Sequence, residues 1–178
     1  MLERTAMSKW QFSIVFALSF AACGTRQPDP HQPQYLSARR ESAIDTDARA
    51  FAFDVAQDIT KEGPAAWRKH FSESPAFFMA ADGNLQFPDS ASATAGIEAL
   101  THTIRSIDLQ WSNDLRVDAL APDLAMIASP YHEIIVTSSG ARLDSTGFFT
   151  GVAQFRDGHW KFRNAHWSSA RTGAPEAK

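Results

Sequence analysis

From Ile44 onward the apolar positions of the chain recur at spacings of three and four. Ile44, Ala48, Phe51, Ala52, Val55 and Ile59 fall on one side of a helix, and Asp47, Asp54 and Asp58 fall on the other. Gly63-Pro64 ends this helix, because proline cannot continue the backbone ladder. A short second helix carries Trp67, His70 and Phe71. Ala76–Ala81 reads as a strand, Asp82-Gly83 as a tight turn and Leu85–Phe87 as the returning strand. A third helix is predicted from about Ala93 to Ile107, with Ile97, Leu100, Ile104 and Ile107 on its face.

After this helix the period changes to two. Leu109–Leu120 alternates Leu109, Trp111, Leu115, Val117 and Ala119 against polar neighbours, the pattern of a half-buried antiparallel strand. Leu124–Thr137 is a second long strand, in which Pro130 marks a bulge or an edge. Ser138–Gly140 turns the chain. Asp144–Phe155 and His159–Ser168 are the last two strands, joined at Asp157-Gly158. Counting outward from that turn pairs Phe155 with Trp160, Ala153 with Phe162, Gly151 with Asn164 and Phe149 with His166 on one side. That side is aromatic near the turn and becomes small and polar away from it, as a pocket wall does. The opposite side, with Phe148, Val152 and Trp167, is expected to be outer. Helices followed by long antiparallel strands give an α+β fold with the helices packed on one face of a curved sheet.

The chain before Ile44 has a different character. Trp10–Ala22 carries no charge and follows Arg4 and Lys9, the make-up of a secretory signal; Met7 offers an alternative start. The apolar run is too short to span a bilayer comfortably. It ends in Ser19-Phe20-Ala21-Ala22-Cys23-Gly24, which resembles the bacterial lipobox with Phe20 in the place of the usual Leu. The resemblance implies a lipid on Cys23, the one cysteine of the chain, and Gly24 after it implies the outer membrane. The segments expected are a signal peptide over 1–22, a polar Pro-rich tether over 23–43, a domain over 44–170 and a disordered tail over 171–178.

Composition narrows the function classes. Thirteen Phe and five Trp supply a core without staples. A net charge of −3, with no basic run, gives no footprint for nucleic acid. A single cysteine excludes an intrachain disulfide and a multi-cysteine metal site. Neither HExxH nor GxSxG occurs, and no cofactor or metal is expected. The candidate ligand-binding residues are His166, Asn164, Phe149, Trp160, Trp111, Tyr131, Trp67 and Met79. His166 is the first choice for moving a proton near neutral pH. The Tyr131 hydroxyl is placed to polarise a carbonyl if it faces inward. His132 and Glu133 lie on opposite sides of their strand, so only one of them faces the pocket. Asp58 reads as a solvated charge.

Three segments carry a family resemblance over about Ile44–Ser169. They are Asp58, Trp67 and Phe71 leading into AFFMA, then Gly96-Ile97-Glu98-Ala99-Leu100, and the closing DGHWKFRNAHWS. On these the chain resembles the nuclear transport factor 2-like superfamily, in its SnoaL-like and ketosteroid-isomerase-like branch, and more narrowly the group called domain of unknown function 4440. The resemblance implies a cone of strands around a long N-terminal helix (a cystatin-like arrangement), often dimeric, with a pocket at the wide end. Relatives include isomerases, dehydratases, cyclases and non-catalytic binders, so fold does not settle function. Asn164-Ala165-His166-Trp167 stands where relatives often read His-Asp-His-Trp, so a His-pair mechanism or metal site on this strand is not expected. The leading expectation is an envelope-anchored domain binding a small hydrophobic molecule, without a demonstrated catalytic set. The alternatives are an isomerase, dehydratase or cyclase using His166 with Tyr131 or a helix Asp, and a homodimeric interaction module.

Overall fold

The computed structural model of the chain describes residues 35–170. The expected signal peptide, Cys23, most of the tether and the tail lie outside the described residues. Helix α1 spans Ala38–Glu62, starting six residues before the expected Ile44. Its first turns are exposed and carry no apolar stripe, so periodicity could not see them. They are helical because Ser37 caps the end, its side chain accepting from the Arg40 amide, and because Ala38, Arg39, Arg40 and Glu41 are good helix formers. The end of the presumed tether is therefore part of the domain. The apolar stripe is buried as read, from Ile44 to Ile59.

A 3-10 turn at Gly63–Ala66 breaks the chain direction, and α2 (Trp67–His70) follows. A hairpin, β1 (Phe78–Ala81) and β2 (Asn84–Phe87), turns at Asp82 and Gly83, both with positive φ. Helix α3 spans Ser90–Thr103 and opens on a capping box between Asp89 and Ser92. It stops short of the expected Ile107: Ile104–Trp111 is strand β3, where β-branched Ile104 and Ile107 pack on a sheet rather than on a helix face. The single strand expected over Leu109–Leu120 is two, β3 and β4 (Arg116–Ala121), parted by a turn at Ser112-Asn113-Asp114.

Strands β5 (Leu124–Thr137), β6 (Arg142–Arg156) and β7 (His159–Ser169) complete one sheet, ordered β2-β1-β7-β6-β5-β3, with β4 also paired to β5. All pairs are antiparallel except β1 with β7, which makes the sheet mixed. Along one flank β5 pairs first with β4, up to Ala128–Arg116, and then with β3, from Tyr131–Trp111. Pro130 sits between these two pairings, and its carbonyl accepts from the Ser112 amide. The missing proline N–H would point to the same flank, at the gap, so no ladder bond is lost.

Phe149, Phe162 and Ile127 of the inner sheet face are fully buried, and Val55 and Ile59 of α1 are equally buried in the same core. Trp111 spans the two layers, its indole nitrogen donating to the Ala52 carbonyl at 2.6 Å.

Candidate functional site

The register of the last hairpin decides which side chains can meet a ligand. Asp157 and Gly158 both have positive φ, as a two-residue turn requires, and Phe155–Trp160 and Ala153–Phe162 pair as counted from it. The next pair is Val152 with Asn164, which leaves Arg163 as an extra residue: a β-bulge. Asn164 braces it by accepting from the Val152 amide through Oδ1 at 3.3 Å. Because side chains alternate, a one-residue slip exchanges the faces of everything beyond it. His166 pairs with Thr150 and is exposed on the outer face; Asn164 is also on that face, held to the bulge. Trp167, expected to be outer, pairs with Phe149 and points inward. The apolar spacing Trp160, Phe162, Ala165, Trp167 runs two, three, two, and that step of three is the trace of the bulge in the sequence.

The inner face between β3 and β7 is packed rather than hollow. Trp167 stacks on Trp111 at 5.7 Å between centroids and meets Phe149 at 4.7 Å. The Tyr131 ring stands edge-on to Trp167 at 4.9 Å, and its hydroxyl lies over Gly147, where a Cβ would stand 2.7 Å from it. Tyr131 thus faces inward, as part of an aromatic core shared with Trp111 and Phe149. His132 faces out and bonds Asp144 at 2.8 Å, drawing that carboxyl below its usual range. Glu133 takes the inner side, across from buried Leu109. Burial pushes its carboxyl up to about 7.

A cavity of about 400 Å³ lies beside this core, among α2, the β1–β2 hairpin, α3 and Trp167. Its walls are Trp67, Phe71, Met79, Phe87, Ile97 and Leu100, with Gln86 as a polar group at the margin. Trp67 is positioned by the 3-10 turn that Gly63-Pro64 starts; it stacks on Phe71 at 5.0 Å and meets Trp167 edge-on at 5.6 Å. The Phe87 ring lies on Gly96, where a Cβ would come within 2.2 Å of it, so glycine there sets the wall. Met79 is aligned by parallel pairing with Ala165. Asp82 ties this hairpin to the end of β7 by accepting from both the amide and the hydroxyl of Ser169, at 2.6 and 3.0 Å. Those bonds hold the Asp82 carboxyl below its usual range. The size suits a small ligand, and the chemistry of the wall suits an apolar one.

Of the candidates read from the sequence, Trp67 and Met79 line this cavity. Tyr131, Trp111 and Phe149 fill the neighbouring core, Trp160 stands at a separate groove by the hairpin turn, and His166 and Asn164 are outside. Asp58 is not simply solvated: its carboxylate lies 3.1 Å from His70 Nε2. Among the described residues no group of three His, Cys, Asp or Glu is placed to hold a metal ion. Also among these residues, no helix is long and apolar enough to cross a membrane.

No family model matches the chain, and no curated protein matches it in sequence. Solved structures do match its shape. A nuclear transport factor 2-like superfamily protein from Salmonella enterica superposes with a TM-score of 0.63 at 17% identity, covering 77% of this chain and 99% of that one. A Novosphingobium aromaticivorans protein, provisionally named a scytalone dehydratase, gives 0.60 at 17% identity, over 70% of this chain and 83% of that one. A Caulobacter vibrioides protein with a cystatin-like fold gives 0.56 at 16% identity, over 71% and 89%. The described domain therefore has the nuclear transport factor 2-like, cystatin-like α+β fold: a long N-terminal helix followed by a curved mixed sheet.

Proposed function

We propose that this chain is a small-molecule-binding domain that holds a small hydrophobic ligand in the cavity between α2, the β1–β2 hairpin and α3. The observation that carries this reading is the wall itself, two indoles and two phenyl rings around about 400 Å³ with little polar surface. Burying an apolar molecule there removes its surface from water at ~25 cal/mol per Å². The likeness to a protein provisionally named a dehydratase keeps small molecules in view for this fold. Of the groups expected for the catalytic alternative, His166 is on the outer face and Tyr131 belongs to the packed core, while the helix residue Asp58 is held to His70.

The test is a fluorescence titration with N-phenyl-1-naphthylamine, an apolar dye that brightens when buried. Saturable binding is expected. Leu100→Trp, which puts an indole into the cavity from the α3 side, is expected to weaken it by about tenfold, or 1.4 kcal/mol. An unchanged dye affinity in a Leu100→Trp protein with native circular dichroism would remove this cavity as the site.

We further propose that the domain works in the cell envelope, tethered by a lipid on Cys23. The sequence before it supports this: a basic start, a short uncharged apolar run and small residues up to the cysteine. Mass spectrometry of the N-terminal peptide should show diacylglycerol on Cys23, and Cys23→Ser should move the protein from the membrane to the soluble fraction. A wild-type protein already in the soluble fraction contradicts the tether.

A further inference from the structure

The inner face of the sheet does not end at the packed core. The alternation that buries Ala153 and Phe162 continues to Phe155 and Trp160, which pair across the hairpin with ring centroids 5.5 Å apart. There they face the polar side of α1 across a groove of about 820 Å³. The ring of Phe51 lines the groove and meets Phe162 at 4.9 Å, so these two rings separate it from the aromatic interior.

The two walls differ in chemistry. The hairpin wall is aromatic. The α1 wall presents Asp47 and Asp54, both exposed and without an ion-pair partner among the described residues. Of the cations at the rim, Lys161 bonds Glu73 at 3.0 Å, outside the groove, and Lys69 bonds Glu62 and also lies 3.7 Å from Asp58, so Asp47 and Asp54 are the carboxylates of this wall left without a cation among the described residues. His159 uses one ring nitrogen on the Asp157 carbonyl.

Inside the groove stands His70, only 7% exposed and edge-on to Phe51. Its Nε2 lies 3.1 Å from Asp58 Oδ2. An ionised carboxylate only accepts, so Nε2 carries the proton and Nδ1 of the neutral ring is left as an acceptor. Burial favours that neutral form by lowering the affinity of the ring for a second proton. No hydrogen bond among the described residues uses Nδ1. No unpartnered side-chain nitrogen or oxygen among them is sealed from solvent either, so Nδ1 keeps access to solvent, on a ring that lines the groove. A well-oriented acceptor, uncompensated negative charge and a flat aromatic wall thus converge on one space.

We propose that this groove is a second ligand site, separate from the apolar cavity, for a small protonated amine bearing a flat ring. The ammonium N–H donates to His70 Nδ1. Asp54 balances its charge at the mouth. The ring lies on Trp160 and Phe155, where the aromatic faces also attract the cation. Asp58 acts through His70, as a positioning residue that fixes which nitrogen carries the proton.

Calorimetric titration at neutral pH with phenethylammonium chloride tests the site. Saturable binding is expected, while 3-phenylpropionate, with the same ring and the opposite charge, does not bind. Asp54→Asn and Trp160→Leu, both at accessible positions, should each weaken phenethylammonium about tenfold. Benzyltrimethylammonium, which has the charge and ring but no N–H donor, should bind more weakly than phenethylammonium. Leu100→Trp, in the other cavity, should leave the amine affinity as it is. A lack of saturable binding overturns the proposal. So does equal binding of the carboxylate, or a pair of wall variants that keep the wild-type affinity.

Discussion

Phe149→Ala is expected to cost about 3–5 kcal/mol of folding stability, the range for removing a buried aromatic ring from a core. Phe149 is completely buried. Its ring touches Trp111 at 5.1 Å, Phe162 at 5.1 Å and Trp167 at 4.7 Å, so truncation strips one wall from each of three other rings. Relaxation cannot close the gap easily. Trp111 is fixed by its bond to the Ala52 carbonyl, and Phe162 is held between Phe149 and Phe51. A domain of this size typically has about 5–15 kcal/mol in total, so the variant should unfold at a much lower denaturant concentration. The measurement is chemical denaturation followed by tryptophan fluorescence. It also decides a functional question. If the region around Phe149 were a ligand cavity, its ring would be solvated in the free protein and the loss would stay below about 1 kcal/mol. A loss that small would contradict the packed interior and return Phe149 and Trp111 to the list of ligand contacts.

Glu133→Gln should stabilise the protein in alkaline solution and leave it nearly unchanged in acid. The Glu133 carboxyl ionises at about 7 in the fold against an ordinary value of 4.5, because burial disfavours its charge. Below the ordinary value both the folded and the unfolded chain hold the proton, and no difference arises. Between 4.5 and about 7 the unfolded chain has lost the proton and the folded one has kept it, so stability falls as the pH rises. Above about 7 both are ionised, and the full penalty persists. A shift of this size corresponds to at most about 3 kcal/mol, and partial access to solvent lowers the figure to ~2 kcal/mol. Gln keeps the shape and cannot ionise. Denaturation of wild type and variant at pH values on either side of this window gives the comparison. Equal stability differences in acid and in base would show that Glu133 is solvated and that its inner-face position carries no charge penalty.

These two residues also show where reading the chain stops. Phe149 was legible as an inward position because it lies on a strand of clear alternation. That it fills the interior was not legible, since a pocket wall and a core layer have the same apolar pattern. Glu133 and His132 were legible as a pair facing opposite ways. Which one faced inward turned on whether the alternation of β5 passes Pro130 without a bulge, and the unbroken pairing of β5 with β6 carries it through from Ile127 to Glu133.

The local rules worked where one rule acted alone. The apolar stripe of α1, the Gly63-Pro64 break and the turns at Asp82-Gly83 and Asp157-Gly158 each rest on the sterics of a few adjacent residues. They made the α+β order of elements readable from residue types. The start of α1 was missed because its first turns bury nothing, and the end of α3 because Ile104 and Ile107 satisfy a helical period and a strand equally well.

The site depended on contacts between distant segments. One extra residue at Arg163 sent His166 outward and Trp167 inward, because alternation has a period of two and a bulge changes its phase. Asp58 and His70 are twelve residues apart, and neither has a neighbour in sequence that marks it; the 3-10 turn between their helices brings the carboxylate to the imidazole. The chain alone thus determined the kinds of element and their order, since those follow from interactions within a few residues. Tertiary structure decided the faces, the cavities and the pairings of polar groups, because each of these is set by where segments far apart along the chain come to lie against one another.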